Sequence, residues 1–259
     1  MTDKETITEA VKAKYRAVAE GRVKSCCDPG SDCNPDELVS ISRGYETTDL
    51  DSIPAGADLG LGCGNPTGVA EIRSGEIVVD LGSGAGVDCF LAARKVGERG
   101  MVIGVDMTEE MIERAQAIAK SGNFSNVQFR LGRIDDIPVE ANYSDLVISN
   151  CVINLAPDKA SVFREIFRIL KPGGRFCVSD VVSKGEIPEH VRHDMERWSG
   201  CIAGALDKSL YLQMIKDAGF EAPMVLSEVD YDYGKSEEYS LASVTVRAFK
   251  PGTNGHNHR

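Results

Sequence analysis

Two groups of residues in this sequence have the types and spacing to do chemistry. The first is sulfur: eight cysteines, at positions 26, 27, 33, 63, 89, 151, 177 and 201. Cys63, in Gly60-Leu61-Gly62-Cys63-Gly64-Asn65-Pro66, and Cys201, in Ser199-Gly200-Cys201-Ile202-Ala203-Gly204-Ala205-Leu206, stand among glycines, where a loop can approach a ligand closely. The second group is a glycine turn: Gly82, Gly84 and Gly86 follow the apolar run Ile77-Val78-Val79-Asp80-Leu81, and Asp106 ends the next apolar run. A carboxylate at that place can accept hydrogen bonds from both hydroxyls of a ribose. NAD, FAD and S-adenosylmethionine would all suit such an arrangement. The spacing is Gly-x-Gly-x-Gly rather than Gly-x-Gly-x-x-Gly, so a pyrophosphate cradle is the less well supported of these.

The cysteines have blander readings. Disulfides belong to exported proteins, and the polar, charged residues 1–9 lack the apolar middle of a signal peptide, so the thiols are expected to be free in a cytosolic protein. Buried cysteine commonly serves as a small apolar side chain. That reading is taken for Cys89, on a helix, and Cys177, inside a strand. A structural zinc on Cys26, Cys27, Cys33 and Cys63 would want paired Cys-x-x-Cys knuckles, which this spacing does not offer.

These residues must be positioned by regular elements. Residues 1–21 carry apolar side chains on one helical face and read as a cap helix; residues 22–74 break into Gly, Pro, Asp, Asn and Cys, a long irregular segment of the kind that is usually functional. From Glu76 onward strands and helices alternate: strands at 77–81, 101–106, 127–131, 145–149 and 175–180, helices at 87–96, 108–119 with Thr108 as its cap, and 158–170, then a turn at Lys171-Pro172-Gly173-Gly174. This pattern predicts a doubly wound, mostly parallel α/β sheet of Rossmann-like type. Downstream, helices are expected at 188–197 and 209–218, the latter closed by Gly219, with two antiparallel edge strands at 224–230 and 239–249. The expected organisation is an N-terminal segment 1–74, a cofactor-binding core 75–182, an acceptor-site region 183–249 and a disordered tail 250–259.

The block from Val78-Val79-Asp80-Leu81-Gly82-Ser83-Gly84-Ala85-Gly86 to Leu170-Lys171-Pro172-Gly173-Gly174-Arg175 resembles the class I methyltransferases. The resemblance implies S-adenosylmethionine as cofactor, with Gly82, Gly84 and Gly86 lining its methionine part and Asp80 near its amino group. It further implies that Asp106 holds the ribose, that Met107, Ile134 and Asp135 contact the adenine, and that Asn150 lies at the mouth of the site. Methyl transfer to a hydroxyl, an amine or a carbon acid needs a base, yet histidine is scarce, and the fourth strand runs instead into Ser149-Asn150-Cys151-Val152-Ile153-Asn154-Leu155.

That segment, with the motifs around Cys63 and Cys201 and the pair Cys26-Cys27, resembles the arsenite methyltransferases over residues 45–220. The chemistry agrees: trivalent arsenic is a soft centre that prefers thiolates, and its lone pair can attack a sulfonium methyl without loss of a proton. The resemblance implies Cys151 and Cys201 as principal arsenic ligands and Cys63 as the third. It also implies a working N-terminal cysteine, either Cys26 or Cys27 with Cys26 favoured, and thioredoxin or glutathione as reductant. The acceptor would be arsenite, taken up as a thiol conjugate, and methylarsenite. The rival readings are a methyltransferase for an organic small molecule with structural cysteines, and a thiol-rich metal-binding protein. A formal charge of -11 opposes attraction to nucleic acid or an anionic membrane, and no apolar run is long enough to span a bilayer.

Overall fold

In the computed structural model, which describes residues 4–23, 40, 43–231 and 238–253, the alternation of strands and helices builds one sheet. Strands β1 (Ile77–Leu81), β2 (Met101–Asp106), β3 (Val127–Leu131), β4 (Ser144–Asn150) and β5 (Leu170–Lys184) run parallel in the order β3-β2-β1-β4-β5. The two-residue β6 (Leu206–Asp207) pairs with β5, and β8 (Ser240–Phe249) inserts antiparallel between β5 and the edge strand β7 (Glu221–Asp230). This is the Rossmann-like arrangement expected from the pattern. The strand order reverses between β1 and β4, which opens a crevice beyond the carboxyl ends of those strands.

Successive residues of each strand face opposite layers, and the sequence supplies apolar side chains to both. Val79, Leu81, Val147 and Phe176 pack on one side with α6 (Lys159–Ile169) and α9 (Lys208–Asp217); Val78, Leu146, Ile148 and Cys177 pack on the other with α4 (Val87–Val96) and α5 (Glu109–Ser121). Cys89 and Cys177 lie fully buried in the second layer, as ordinary core residues. Ahead of the sheet, α1 (Lys4–Ala19) lies over the crevice, held by ion pairs of Lys4 with Asp158 and of Arg16 with Glu110. Among the described residues of the irregular segment, Thr47–Leu50 forms the short helix α2 and Pro66–Val69 the short helix α3. Among the described residues no helix is long and apolar enough to cross a membrane.

Several local expectations are corrected. The turn at Lys171-Pro172-Gly173-Gly174 does not precede a strand but bulges within one, between the pairings Ser144 with Leu170 and Leu146 with Arg175. The helix expected at 188–197 is two, α7 (Glu189–Arg192) and α8 (Met195–Ser199), because the Asp194 carboxylate accepts from the Glu196 and Arg197 amides and starts a new helix there. Thr108 holds the cap position of α5, but its side chain makes no capping bond; the adjacent Asp106 carboxylate takes the Thr108 amide instead. Lys250, assigned to a disordered tail, is anchored: its ammonium donates to Asn142 Oδ1 and to the carbonyls of Phe167 and Leu170 at the end of α6. Gly219 closes α9 as expected, with φ +100° and its amide on the Lys216 carbonyl.

Candidate active site

The glycine turn is shaped by its neighbours. Gly82 and Ser83 donate to the Val105 carbonyl at 2.7 and 3.0 Å, which sews the turn to the end of β2. Gly82 has φ +69°, and a Cβ there would run into the side chain of Val152. Gly84, at φ +52°, faces open space, and its amide donates to Asp106 Oδ2 at 3.0 Å. Gly86 does not line the cleft: a Cβ there would stand 2.8 Å from Phe90 and 2.9 Å from Phe129, so this glycine serves the packing of α4 against the aromatic core. The cleft is a space of about 1120 Å³, counted to its open mouth. Asp80, Gly82, Gly84, Asp106, Met107, Ile134, Asp135 and Asn150 all line it, and Thr8, Val11 and Tyr15 of α1 form its roof.

Electrostatically the cleft is built for a cation. Asp80, Asp88 and Asp106 are buried in its wall, and burial raises the pKa of all three. Asp88 is pushed up to about 6, chiefly by burial, against the hydrogen bonds it accepts from Tyr45 at 2.8 Å and Asn150 at 3.3 Å. The buried Ser83 hydroxyl has no hydrogen-bond partner among the described residues. A ligand bearing an ammonium, a sulfonium and a ribose diol matches these groups. Sequence reasoning missed Asp88 and Tyr45: neither lies in a motif, and they meet only when residues 43–62 fold across the sheet.

At the end of β4 the cleft meets the thiols. Cys151 lines the cleft, and its Sγ stands 3.5 Å from that of Cys201. Both residues adopt left-handed backbone, φ +61° and +64°, a conformation that costs a non-glycine residue about 1–3 kcal/mol. The surroundings impose it. The Cys151 amide donates to the Ser179 carbonyl at 2.8 Å, the Cys201 amide to the Trp198 carbonyl at 3.0 Å, and the Asn154 amide group to the Cys201 carbonyl at 2.6 Å. Contact with Cys201 and Cys63, and then burial, hold the Cys151 thiol well above its ordinary pKa. Two sulfurs bound to one soft ion at about 2.3 Å each lie under about 4 Å apart, so the observed separation suits a shared atom. Among the described residues no group of three or more His, Cys, Asp and Glu side chains is arranged to hold a metal ion. Cys26, Cys27 and Cys33 lie outside the described residues.

Behind Cys201 lies a buried polar cluster that no motif announced. Burial lowers Lys159 to about 8 and raises Asp180 to about 7, each offset by the other's charge; Lys159 donates to the Ala156 carbonyl at 2.9 Å and Tyr211 to Asp180 at 3.2 Å.

Comparison with known proteins agrees with this geometry. A methyltransferase-domain family model matches residues 72–219. The chain is 43% identical to an arsenite methyltransferase of Halobacterium salinarum, over 96% of this chain and 68% of that protein. It is 39% identical to the arsenite methyltransferase of Mus musculus, over 67% of this chain, and spans only 50% of the mouse protein's length. An arsenic(III) S-adenosylmethionine methyltransferase from Chlamydomonas reinhardtii superposes with a TM-score of 0.68 at 35% identity, over 82% of this chain and 73% of that one. With a matching domain, fold and thiol-lined cleft, the chain belongs to the arsenite methyltransferase family of S-adenosylmethionine-dependent enzymes.

Proposed function

We propose that this chain methylates trivalent arsenic, using Cys151 and Cys201 as the principal ligands and Cys63 as the third. The observation that carries the reading is the contact of the Cys151 and Cys201 sulfurs at the inner end of the cofactor cleft. S-adenosylmethionine supplies a methyl group made electrophilic by its sulfonium sulfur. Around it, Asp106 would accept the ribose hydroxyls, Asp80 and Asp88 would face the cationic part, and Met107, Ile134 and Asp135 would flank the adenine. Gly82 and Gly84 keep the turn open for it.

The protonated state of Cys151 suits the acceptor's chemistry. Arsenous acid condensing with three neutral thiols forms three arsenic–sulfur bonds and releases three waters, with no net change in protons. A thiol conjugate exchanges with equal balance. Arsenic so held keeps its lone pair, and no base is required. Methyl transfer oxidises arsenic from the trivalent to the pentavalent state, and two thiols closing to a disulfide would return the two electrons. Cys26 or Cys27 with Cys63 would form that disulfide, and thioredoxin or glutathione of a reducing cytosol would reopen it. The test is transfer of label from methyl-labelled cofactor with excess thiol present: label is expected in an arsenic product with arsenite, and none without it. Label appearing in an organic acceptor, with arsenite inert, would overturn the assignment.

The buried carboxylates give a pH dependence. The cationic cofactor favours ionised Asp88, whose pKa in the free protein is about 6. Below that pH binding must first expel the proton, so affinity is expected to fall by up to about tenfold per pH unit under pH 6 and to level off above pH 7. Calorimetric titration from pH 5 to 8 reads this directly, and Asp88→Asn should flatten the profile. A wild-type affinity unchanged between pH 5 and 7 would remove Asp88 from the cation's surroundings.

A further inference from the structure

We propose that Asn150, besides lining the cofactor cleft, is the positioning residue that holds Cys63 against Cys151. The proposal rests on the reading of Cys63 as an arsenic ligand. An asparagine amide has two acceptor and two donor positions. Asn150 Oδ1 accepts from the Cys63 amide at 2.9 Å and the Gly64 amide at 3.2 Å. Its Nδ2 donates to the Gly64 carbonyl at 2.7 Å, to the Tyr45 hydroxyl at 2.9 Å and to Asp88 at 3.3 Å. All four positions are thus committed within the protein, three of the five contacts on the Cys63 loop itself.

The loop is built around this amide. A Cβ on Gly62 would lie 2.5 Å from Asn150 Nδ2, and one on Gly64 would lie 2.7 Å from Ser179 Oγ. The two glycines flanking Cys63 are therefore required for the loop to lie flat on the ends of β4 and β5. The far side of the loop is pinned as well, since the Cys63 carbonyl accepts from Ser243 Oγ at 2.7 Å. Cys63 and Cys151 are far apart in sequence, yet the residue preceding Cys151 grips the backbone of Cys63. One side chain thereby fixes the separation of two ligands. Through Tyr45 and Asp88 the same amide touches the cofactor cleft, which lets occupancy of one site bear on the geometry of the other.

The test is arsenite titration of the full chain, followed by fluorescence of Trp198, the sole tryptophan, which lies three residues from Cys201. Asn150→Ala is expected to weaken arsenite binding about 10- to 100-fold, the range for groups that orient a ligand from behind, and to weaken cofactor binding by less, through the bond lost to Asp88. Arsenic-edge X-ray absorption should count three sulfurs in the wild type and fewer in the variant. Gly62→Ala, which pushes the amide away from the other side, should act alike should Asn150→Ala fold poorly. In a Cys63→Ser background, Asn150→Ala should add nothing to the loss. The proposal is overturned when Asn150→Ala keeps wild-type arsenite affinity, loses cofactor affinity instead, or costs as much without Cys63 as with it. If Cys63→Ser itself binds arsenite as wild type does, the three-thiol reading fails along with it.

Discussion

Replacing Cys151 by serine is expected to lower kcat/KM for arsenite by about 1000-fold, equivalent to ~4 kcal/mol of transition-state stabilisation. Serine keeps the volume and the left-handed backbone but offers a hard oxygen where a soft centre wants sulfur. The remaining Cys201 would then hold arsenic by one bond fewer, and orientation toward the methyl group, worth roughly 7 to 11 kcal/mol when complete, is largely lost. Cys201→Ser should behave alike, because the two sulfurs in contact form one site. The double variant should be little worse than either single one, since groups acting as a unit are not additive. Cofactor affinity should be retained, as calorimetry can check. A Cys151→Ser enzyme with more than a tenth of wild-type activity would remove the thiol from the reaction.

The second large effect concerns stability. Arg175→Met is expected to destabilise the fold by about 3–5 kcal/mol, the usual cost of removing one partner from a buried ion pair. The Arg175 side chain is 5% exposed; its guanidinium holds both oxygens of Glu76 at 2.8 and 3.0 Å and donates to the carbonyls of Ala70 and Glu71 at 3.0 and 2.6 Å. It thereby fastens β5 to residues 70–76, the segment that joins the Cys63 loop to β1. Methionine would leave two carbonyls without their donor and a mostly buried carboxylate with only the Arg73 amide to balance it. Thermal unfolding should shift down by roughly 10 °C for a chain of this size. Adding Glu76→Met should recover part of the loss, since the unpaired charge is then gone. A shift under about 2 °C in the single variant would mean that water or another cation replaces the guanidinium.

The two effects act on neighbouring stretches of the same strand. β5 begins with the bulge at residues 171–174 and Arg175, and further along its Ser179 carbonyl takes the Cys151 amide and its Ser179 hydroxyl faces Gly64. Stability and ligand geometry are therefore linked through one backbone. Loosening Arg175 should also weaken arsenite binding.

What the sequence determined by itself is whatever is encoded within a few residues. Alternating apolar runs, helix caps and the glycine turn specified the strands at 77–81, 101–106 and 127–131 and the helix at 87–96 to the residue, because backbone sterics and hydrophobic periodicity act locally. The same local logic put Asp80, Gly82, Gly84 and Asp106 at strand ends, where a parallel sheet opens its crevice. It erred where a local signal had two readings. Gly86 needs its left-handed φ but packs on phenylalanines, and residues 188–197 carry helical side chains interrupted by an aspartate that caps better than it continues. Only the tertiary structure decided the meeting of Cys151 with Cys201, the grip of Asn150 on the Cys63 loop, and the burial of Asp88 and of Lys159 with Asp180. Each joins segments tens of residues apart, and no periodicity or spacing along the chain carries the distance between them; that distance is set by sheet order, by the crossing of residues 43–64 over the strand ends, and by burial, which turns ordinary carboxylates and thiols into a cation-binding, sulfur-lined cleft.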